Sequence, residues 1–290
     1  MATRITTLIE NAQGEHLALH AEHGISFYIE HDGVKLLFDV GQSGAFLDNA
    51  AKMGINPSAA DFVAISHSHY DHSGGFKPLV AAGYRGVLLT GKGFFNKKYA
   101  FDGVSLEYLG NDFDERFLDK KGISHHVIEG AVEKIAADLF ILSAFPRIHD
   151  AEIPNKRFLI EKGGVLATDD FSDEICLAVG TSHGFILVLG CSHPGMMNIL
   201  DAAKAVLPGP IFAVLGGTHL IEASPSRLEA AIEYLKGSTI EVLGVSHCTG
   251  AHAGSELART GKKLFNNSTG HSLHIDDNIP KTDATASAVD

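Results

Sequence analysis

His67-Ser68-His69-Tyr70-Asp71-His72-Ser73-Gly74-Gly75 places three imidazoles and a carboxylate within six residues. It follows directly on Val63-Ala64-Ile65-Ser66, an apolar run that reads as the end of a buried strand over Phe62 to Ser66. In a strand-to-loop turn, His67 and His69 can converge on one cation while Asp71 and His72 face a second. Imidazole suits zinc, iron and other transition metals, and the carboxylate adds a hard oxygen ligand. Gly74-Gly75 would let the backbone turn sharply and start a helix at Phe76. The competing reading is a polar surface loop that happens to be rich in histidine. It is the weaker one, because this spacing is far more specific than a lone His pair.

Outward from this stretch, other apolar runs end in the same way. Leu36-Leu37-Phe38 leads to Asp39, Leu187-Val188-Leu189-Gly190-Cys191-Ser192 to His193, Val214-Leu215-Gly216-Gly217-Thr218 to His219, and Val242-Leu243-Gly244-Val245-Ser246 to His247. Rigid strands that deliver imidazoles and carboxylates from their ends make a preorganised site. Ser26 to Glu30 and Val34 to Asp39 read as a hairpin turning at His31-Asp32-Gly33. Gly44 to Met53 has helical spacing, and a helix carries Met196, Leu200 and Ala203 on one side. Ser224-Pro225 opens another helix, with Ser as N-cap and Pro at the first helical position. Val87 to Thr90, Phe185 to Leu189, Ile211 to Leu215 and Glu241 to Val245 read as core strands. Strands interleaved with helices indicate α/β layers. Gly91 to Glu161 is less regular and reads as loops that shape a pocket. Asp276 to Asp290 is polar and reads as a frayed tail.

The bulk composition narrows the class. At 290 residues the chain is long enough to bury a sizeable core as one large domain or two small ones. A net charge of −12 disfavours a broad nucleic-acid footprint. No apolar run reaches the length of a membrane helix, and the N-terminus lacks a basic region followed by an apolar stretch. Cys176, Cys191 and Cys248 lie far apart, which is no disulfide framework and suits a reducing cytosol. The expectation is a cytoplasmic protein with a small-molecule substrate and neither a nucleic-acid nor a membrane partner. The oligomeric state is not legible.

His67-x-His69-x-Asp71-His72 resembles the HxHxDH signature of the metallo-β-lactamase superfamily. Asp39, His193, a fourth position and His247 then follow in the superfamily's order, so the resemblance covers residues 3 to about 275. It implies one domain over 1–275 with the four-layer αββα sandwich and metals at one edge between the sheets. It also implies that His67, His69 and His193 hold one ion and Asp71, His72 and His247 the other, with Asp39 orienting the ligand loop from behind. One or two divalent ions are implied, zinc first, with iron or manganese as alternatives. Such an ion lowers the pKa of a bound water from near 16 to roughly 7, and Asp71 would be the catalytic carboxylate.

Several further segments, among them Leu8-Ile9-Glu10-Asn11, Gly190-Cys191-Ser192-His193-Pro194-Gly195 and Gly216-Gly217-Thr218-His219-Leu220, resemble one branch of that superfamily. Its methanogen members are 7,8-dihydropterin-6-methyl-4-(β-D-ribofuranosyl)aminobenzene-5′-phosphate synthases. One departure stands out: the superfamily's bridging Asp is replaced by His219. A neutral imidazole does not bridge two ions, so His219 would bind one ion or hold a substrate phosphate.

The expected activity is therefore metal-dependent hydrolysis of a small phosphorylated or pterin-like substrate. The alternatives are the synthase (a transferase) and a metal-loaded binding or sensor protein without turnover. His23 and Tyr70 are candidates for touching substrate, each balanced by a structural reading. Cys191 and Cys248 flank proposed ligands and read as packing beside them. His183 reads as a turn residue, and His125, His126, His149, His252, His271 and His274 as solvated or structural. The chain has no P-loop pattern and no defensible Ser-His-Asp arrangement.

Overall fold

Ser26–His31 and Val34–Phe38 pair antiparallel, and Asp32 and Gly33 between them take positive φ of 48° and 84°. Two such residues form the turn whose twist suits a two-residue hairpin, and Asp-Gly is among its favoured sequences. The computed structural model describes residues 2–276. Of the tail expected from Asp276, only Asp276 lies within that range, as the last residue of the strand Ser272–Asp276.

Two seven-stranded sheets face each other. The first runs in the spatial order Ser272–Asp276, Ala2–Ile9, Ser26–His31, Val34–Phe38, Phe62–Ala64, Val87–Gly91, Ser124–Ile128. The second runs Lys263–Leu264, Val242–Ser246, Ile211–Gly217, Gly184–Leu189, Cys176–Thr181, Leu139–Leu142, Val132–Ala136. Alternation sorts the side chains. Ile186 and Val188 join Phe27, Phe38 and Leu89 between the sheets. Leu187 and Leu189 pack with Met196, Leu200 and Ile232 of the helices Met196–Val206 and Pro225–Lys236. On the other side, Leu37 and Val63 pack with Phe46, Phe76 and Leu79 of the helices Ala45–Lys52 and Phe76–Ala81. Strands buried on both faces read as continuous apolar runs, which is why the sequence showed them so plainly. Three apolar interfaces separate four structural layers, and the fold is the αββα sandwich. No helix among the described residues is long and apolar enough to cross a membrane.

The segment 91–161 corrects the sequence reading. It holds edge strands of both large sheets and most of a third, four-stranded antiparallel sheet. That sheet has the order Val165–Thr168, Phe158–Lys162, Lys97–Phe101, Leu106–Tyr108. Lys97-Lys98-Tyr99-Ala100-Phe101 is polar and largely half-exposed or exposed, so no apolar run marks it as a strand. The helix Glu115–Lys121 lies in the same stretch. Its signals are local: Asp114 accepts from the Phe117 N–H, and Gly122 closes the helix at φ 66°.

Ser224-Pro225 opens its helix as expected, with the Ser224 hydroxyl accepting from the Arg227 N–H at 3.2 Å. Ser224→Ala should cost about 1 kcal/mol in urea denaturation and leave metal content unchanged. Gly74 and Gly75 need a different explanation from the one expected. They do form the turn before a helix that starts at Phe76, as expected, but with φ of −64° and −73°, which any residue can adopt. Space demands glycine here. A Cβ at Gly75 would lie 2.0 Å from the Val40 carbonyl oxygen, and one at Gly74 would lie 2.3 Å from that of Gln42. Gly75→Ala should destabilise by about 2–3 kcal/mol through overpacking, read as a lower urea midpoint.

Candidate metal centre

Val34–Phe38 pairs parallel with Phe62–Ala64. In the second sheet Gly184–Leu189, Ile211–Gly217 and Val242–Ser246 are parallel neighbours. Parallel strands put their C-terminal ends at one edge, so Asp39, His67, Cys191 to His193, His219 and His247 emerge together. Four of these exits carry unusual backbone: Asp39, Ser192, His219 and His247 have φ of 56°, 62°, 46° and 54°. Left-handed backbone outside glycine is uncommon, is best tolerated by Asp, Asn and His, and costs on the order of 1–3 kcal/mol each. Three of the four bends put a site side chain at the turning point.

The Nε2 atoms of His67, His69 and His193 are buried with no hydrogen-bond partner among the described residues. Leaving a buried polar atom unpaired costs about 1–3 kcal/mol, so three on neighbouring rings call for a partner that the side chains themselves do not supply. The His67 ring lies 4.6 Å from His69 and 4.9 Å from His193, and His69 lies 5.0 Å from His193. Burial, helped by neighbouring imidazoles and Lys98, holds all three pKa values well below the ordinary histidine range. Neutral imidazole with a free lone pair is the form that binds metal.

A second cluster adjoins the first. Asp71 Oδ2 lies 3.2 Å from His247 Nε2 and 3.6 Å from His72 Nε2. Cys191 Sγ lies 3.1 Å from His72 Nε2 and 3.3 Å from His247 Nε2. The ligand atoms of Asp71, His72, Cys191 and His247 all fall within 4.8 Å of one another, and so do those of His67, Cys191 and His193. A tetrahedral zinc with ordinary bond lengths sets its ligand atoms about 3.3–3.6 Å apart, so these residues fit a metal. Burial pushes the Asp71 carboxyl up, but His72, His23 and His247 hold it well below the usual carboxylate range.

Partners behind the clusters fix the rings. Asp39 accepts from the Ser66 N–H at 2.6 Å and the Ser66 hydroxyl at 2.8 Å, and lies 2.6 Å from His72 Nδ1. This presents His72 Nε2 to the cluster. Burial lowers the His72 pKa, but Asp39 and Asp71 outweigh it and raise it to about 9, so a cation at Nε2 displaces a proton. His247 Nδ1 lies 2.8 Å from Asn11 Oδ1, and the His247 backbone N–H donates to Glu10 Oε1 at 2.6 Å. The His193 ring stacks on Phe171 at 3.8 Å and 8°, and the His193 backbone N–H donates to Glu174 Oε2 at 2.9 Å.

The remaining expected residues divide. His23 Nε2 lies 3.2 Å from Asp71 Oδ2 with the side chain half exposed, and Tyr70 is exposed with its ring 6.3 Å from His23. Both stand at the mouth. The His219 ring is 4.4 Å from His193, yet His219 belongs to neither group of converging ligand atoms, and nor does His69. Burial, followed by the Arg227 charge, lowers the His219 pKa to about 4. His126, His149 and His271 make hydrogen bonds elsewhere, and His183 sits in the turn between Cys176–Thr181 and Gly184–Leu189.

Sequence reasoning did not foresee Phe158, Phe171, Glu174 or the buried group Lys98, Asp169 and Asp173. Cys191 was expected to pack beside the ligands, yet its sulfur lies inside both groups. The available signal was its place two residues before His193 at the same strand end. Cys248 belongs to neither group; its sulfur accepts from the His219 N–H at 3.3 Å.

Two facing sheets, a helical layer outside each and an imidazole-rich cluster at the edge between them define an αββα protein with a candidate metal site. The chain belongs to the metallo-beta-lactamase superfamily, whose family model matches residues 22–169. It is similar to the 7,8-dihydropterin-6-methyl-4-(beta-D-ribofuranosyl)-aminobenzene-5'-phosphate synthase of Methanocaldococcus jannaschii, 28% identical over 273 residues, covering 90% of this chain and 92% of that protein. It is also 30% identical over 171 residues, 57% of each chain, to the exodeoxyribonuclease WalJ of Streptococcus pneumoniae. Among solved structures it is similar to Tm1679, a metal-dependent hydrolase of the beta-lactamase superfamily. The TM-score there is 0.83 at 29% identity, covering 95% of this chain and all of that one.

Proposed function

We propose that the chain is a metal-dependent enzyme acting on a small, anionic, phosphorylated or pterin-like substrate, by hydrolysis or by metal-assisted displacement. The observation that carries this reading is the meeting, at one sheet edge, of an ionised Asp71 with three buried imidazole nitrogens that have no partner among the described residues. Divalent ions in such a site supply Lewis acidity, which acidifies water and polarises a carbonyl or phosphoryl oxygen. His67, His69 and His193 would hold one ion and Asp71, His72 and His247 the other. Zinc suits this donor set first, and iron or manganese also fit.

The protein's own groups divide the remaining work. Asp71 orients the attacking group and passes its proton to His23, whose Nε2 lies 3.2 Å away and whose side chain is half exposed. Burial, then the Arg227 and Arg157 charges, keeps His219 neutral, and with Arg157 itself paired to Glu222 at 3.0 Å it is the His219 imidazole that would donate to an anionic substrate group. The Arg157 guanidinium lies 4.6 Å over Phe158, whose ring is 5.8 Å from His219. Phe158 and Phe171 shield the His193 side from water.

The synthase relative supports displacement by an arylamine, and the Tm1679 likeness supports attack by water. One panel separates them: a dihydropterin-methyl pyrophosphate with an arylamine phosphate, against phosphodiesters, lactones, thioesters and DNA. Release of pyrophosphate with a new carbon–nitrogen bond selects the synthase, and cleavage without amine incorporation selects a hydrolase. Preferential DNA cleavage would overturn the small-substrate proposal. A metal-loaded protein inert toward every member would favour the binding or sensor reading.

A further inference from the structure

We propose that the Cys191 thiolate is a ligand shared by both ions, joining the two halves of the centre where the bridging carboxylate is missing. The assignment rests on the metal-centre reading above. Cys191 is the one residue common to the two groups of converging ligand atoms, Asp71–His72–Cys191–His247 and His67–Cys191–His193. Its sulfur lies 3.1 Å from His72 Nε2 and 3.3 Å from His247 Nε2, so an ion seated among them needs these contacts to open only by a few tenths of an ångström to reach about 3.5 Å, the edge of a tetrahedron with one sulfur. On the other side, the Nε2 atoms of His67 and His193 are buried without a partner among the described residues.

The chemistry of a bridge explains the choice. A shared ligand needs more than one lone pair on the bridging atom, or two atoms acting together as in a carboxylate. The ring nitrogen of His219 has one lone pair, and His219 lies in neither group. A thiolate sulfur has three lone pairs and binds zinc strongly, at about 2.3 Å. It also brings a negative charge to a site whose other ligands are one carboxylate and several neutral imidazoles.

The backbone holds Cys191 in place. The Ser192 N–H donates to Glu174 Oε1 at 2.6 Å, and the Ser192 hydroxyl donates to the Gly217 carbonyl at 2.7 Å. A Cβ at Gly190 would lie 2.1 Å from Ser66 Oγ, so this strand end presses directly on the ligand loop. Cys248 supplies a neighbouring control, buried and close, but in neither group.

Zinc K-edge absorption on the loaded wild-type protein tests the proposal without any assay of turnover. About two zinc ions per chain are expected, with on average about one sulfur neighbour per zinc at about 2.3 Å, as one sulfur shared by both requires. Two zinc ions with no sulfur neighbour overturn the assignment while leaving the metal centre intact. About half a sulfur per zinc overturns the sharing, since the thiolate then serves one ion only. Protein that takes up no metal overturns the centre itself, and this assignment with it. Cobalt-loaded protein gives a second readout: the thiolate-to-cobalt charge-transfer band should persist in Cys248→Ser and vanish in Cys191→Ser. Cys191→Ser should also bind at least one ion about tenfold or more weakly. A band that survives in folded Cys191→Ser contradicts the proposal, and if that variant does not fold, the wild-type absorption result decides alone.

Discussion

Asp71→Asn is expected to lower kcat/KM about a thousandfold and to leave the fold intact. Asp71 is buried, and its Oδ2 faces three imidazoles at once: His23 at 3.2 Å, His247 at 3.2 Å and His72 at 3.6 Å. Asparagine keeps the shape but removes the charge, so a divalent ion loses an anionic ligand and the attacking group loses its orienting carboxylate. Those contributions amount to several kcal/mol, and about 4 kcal/mol corresponds to a thousandfold. The check is kcat/KM on whichever substrate the panel identifies, measured beside metal content and circular dichroism. Full activity in folded, metal-verified Asp71→Asn would remove Asp71 from the chemistry.

Lys98→Met is expected to destabilise the protein by about 3–5 kcal/mol. Lys98 is fully buried, with its ammonium 2.6 Å from Asp173 Oδ1 and 2.9 Å from Asp169 Oδ2, and 4.6 Å over the Phe171 ring. Burial opposes its charge, but the two carboxylates outweigh that and hold it protonated above the usual lysine range. Methionine fills similar space and leaves two buried carboxylates uncompensated. The effect should reach the metal centre, because Asp173 Oδ2 also accepts the Ser68 N–H, between His67 and His69. Adding Asp169→Asn and Asp173→Asn to Lys98→Met should recover a large part of the loss, since the penalty lies in the unpaired charges. Equal instability of the single and triple variants in urea denaturation would show that packing around Lys98, rather than charge, governs the effect.

The difference between these two sites shows what the sequence could reveal. Asp71 stands in a run of six residues whose ligands are neighbours in the chain, so local spacing was enough. Asp39, His193, His219 and His247 were legible for a related reason: each follows an apolar run, and parallel pairing puts such strand ends at one edge. Lys98 and Phe158 come from the third sheet: the Lys98 strand is polar and largely half-exposed or exposed, and the Phe158 strand has only the three-residue apolar start Phe158-Leu159-Ile160 to mark it. Their meeting with Asp173 and His193 is a matter of long-range packing. Cys191 lay next to a recognised ligand, but its position between the clusters depends on how two sheets face each other. Gly74 and Gly75 were singled out correctly as the turn before the Phe76 helix, but backbone freedom is not what makes them glycine. The requirement is room beside Val40 and Gln42, which spacing along one chain segment does not reveal.

The most direct test is a crystal structure of the zinc-loaded protein with anomalous differences measured across the zinc edge. Two peaks are expected at the sheet edge, one within about 2.0–2.3 Å of the His67 and His193 Nε2 atoms and the other at the same range from Asp71, His72 and His247. Density without anomalous signal after reloading, or zinc bound elsewhere with these side chains left unligated, would contradict the metal centre.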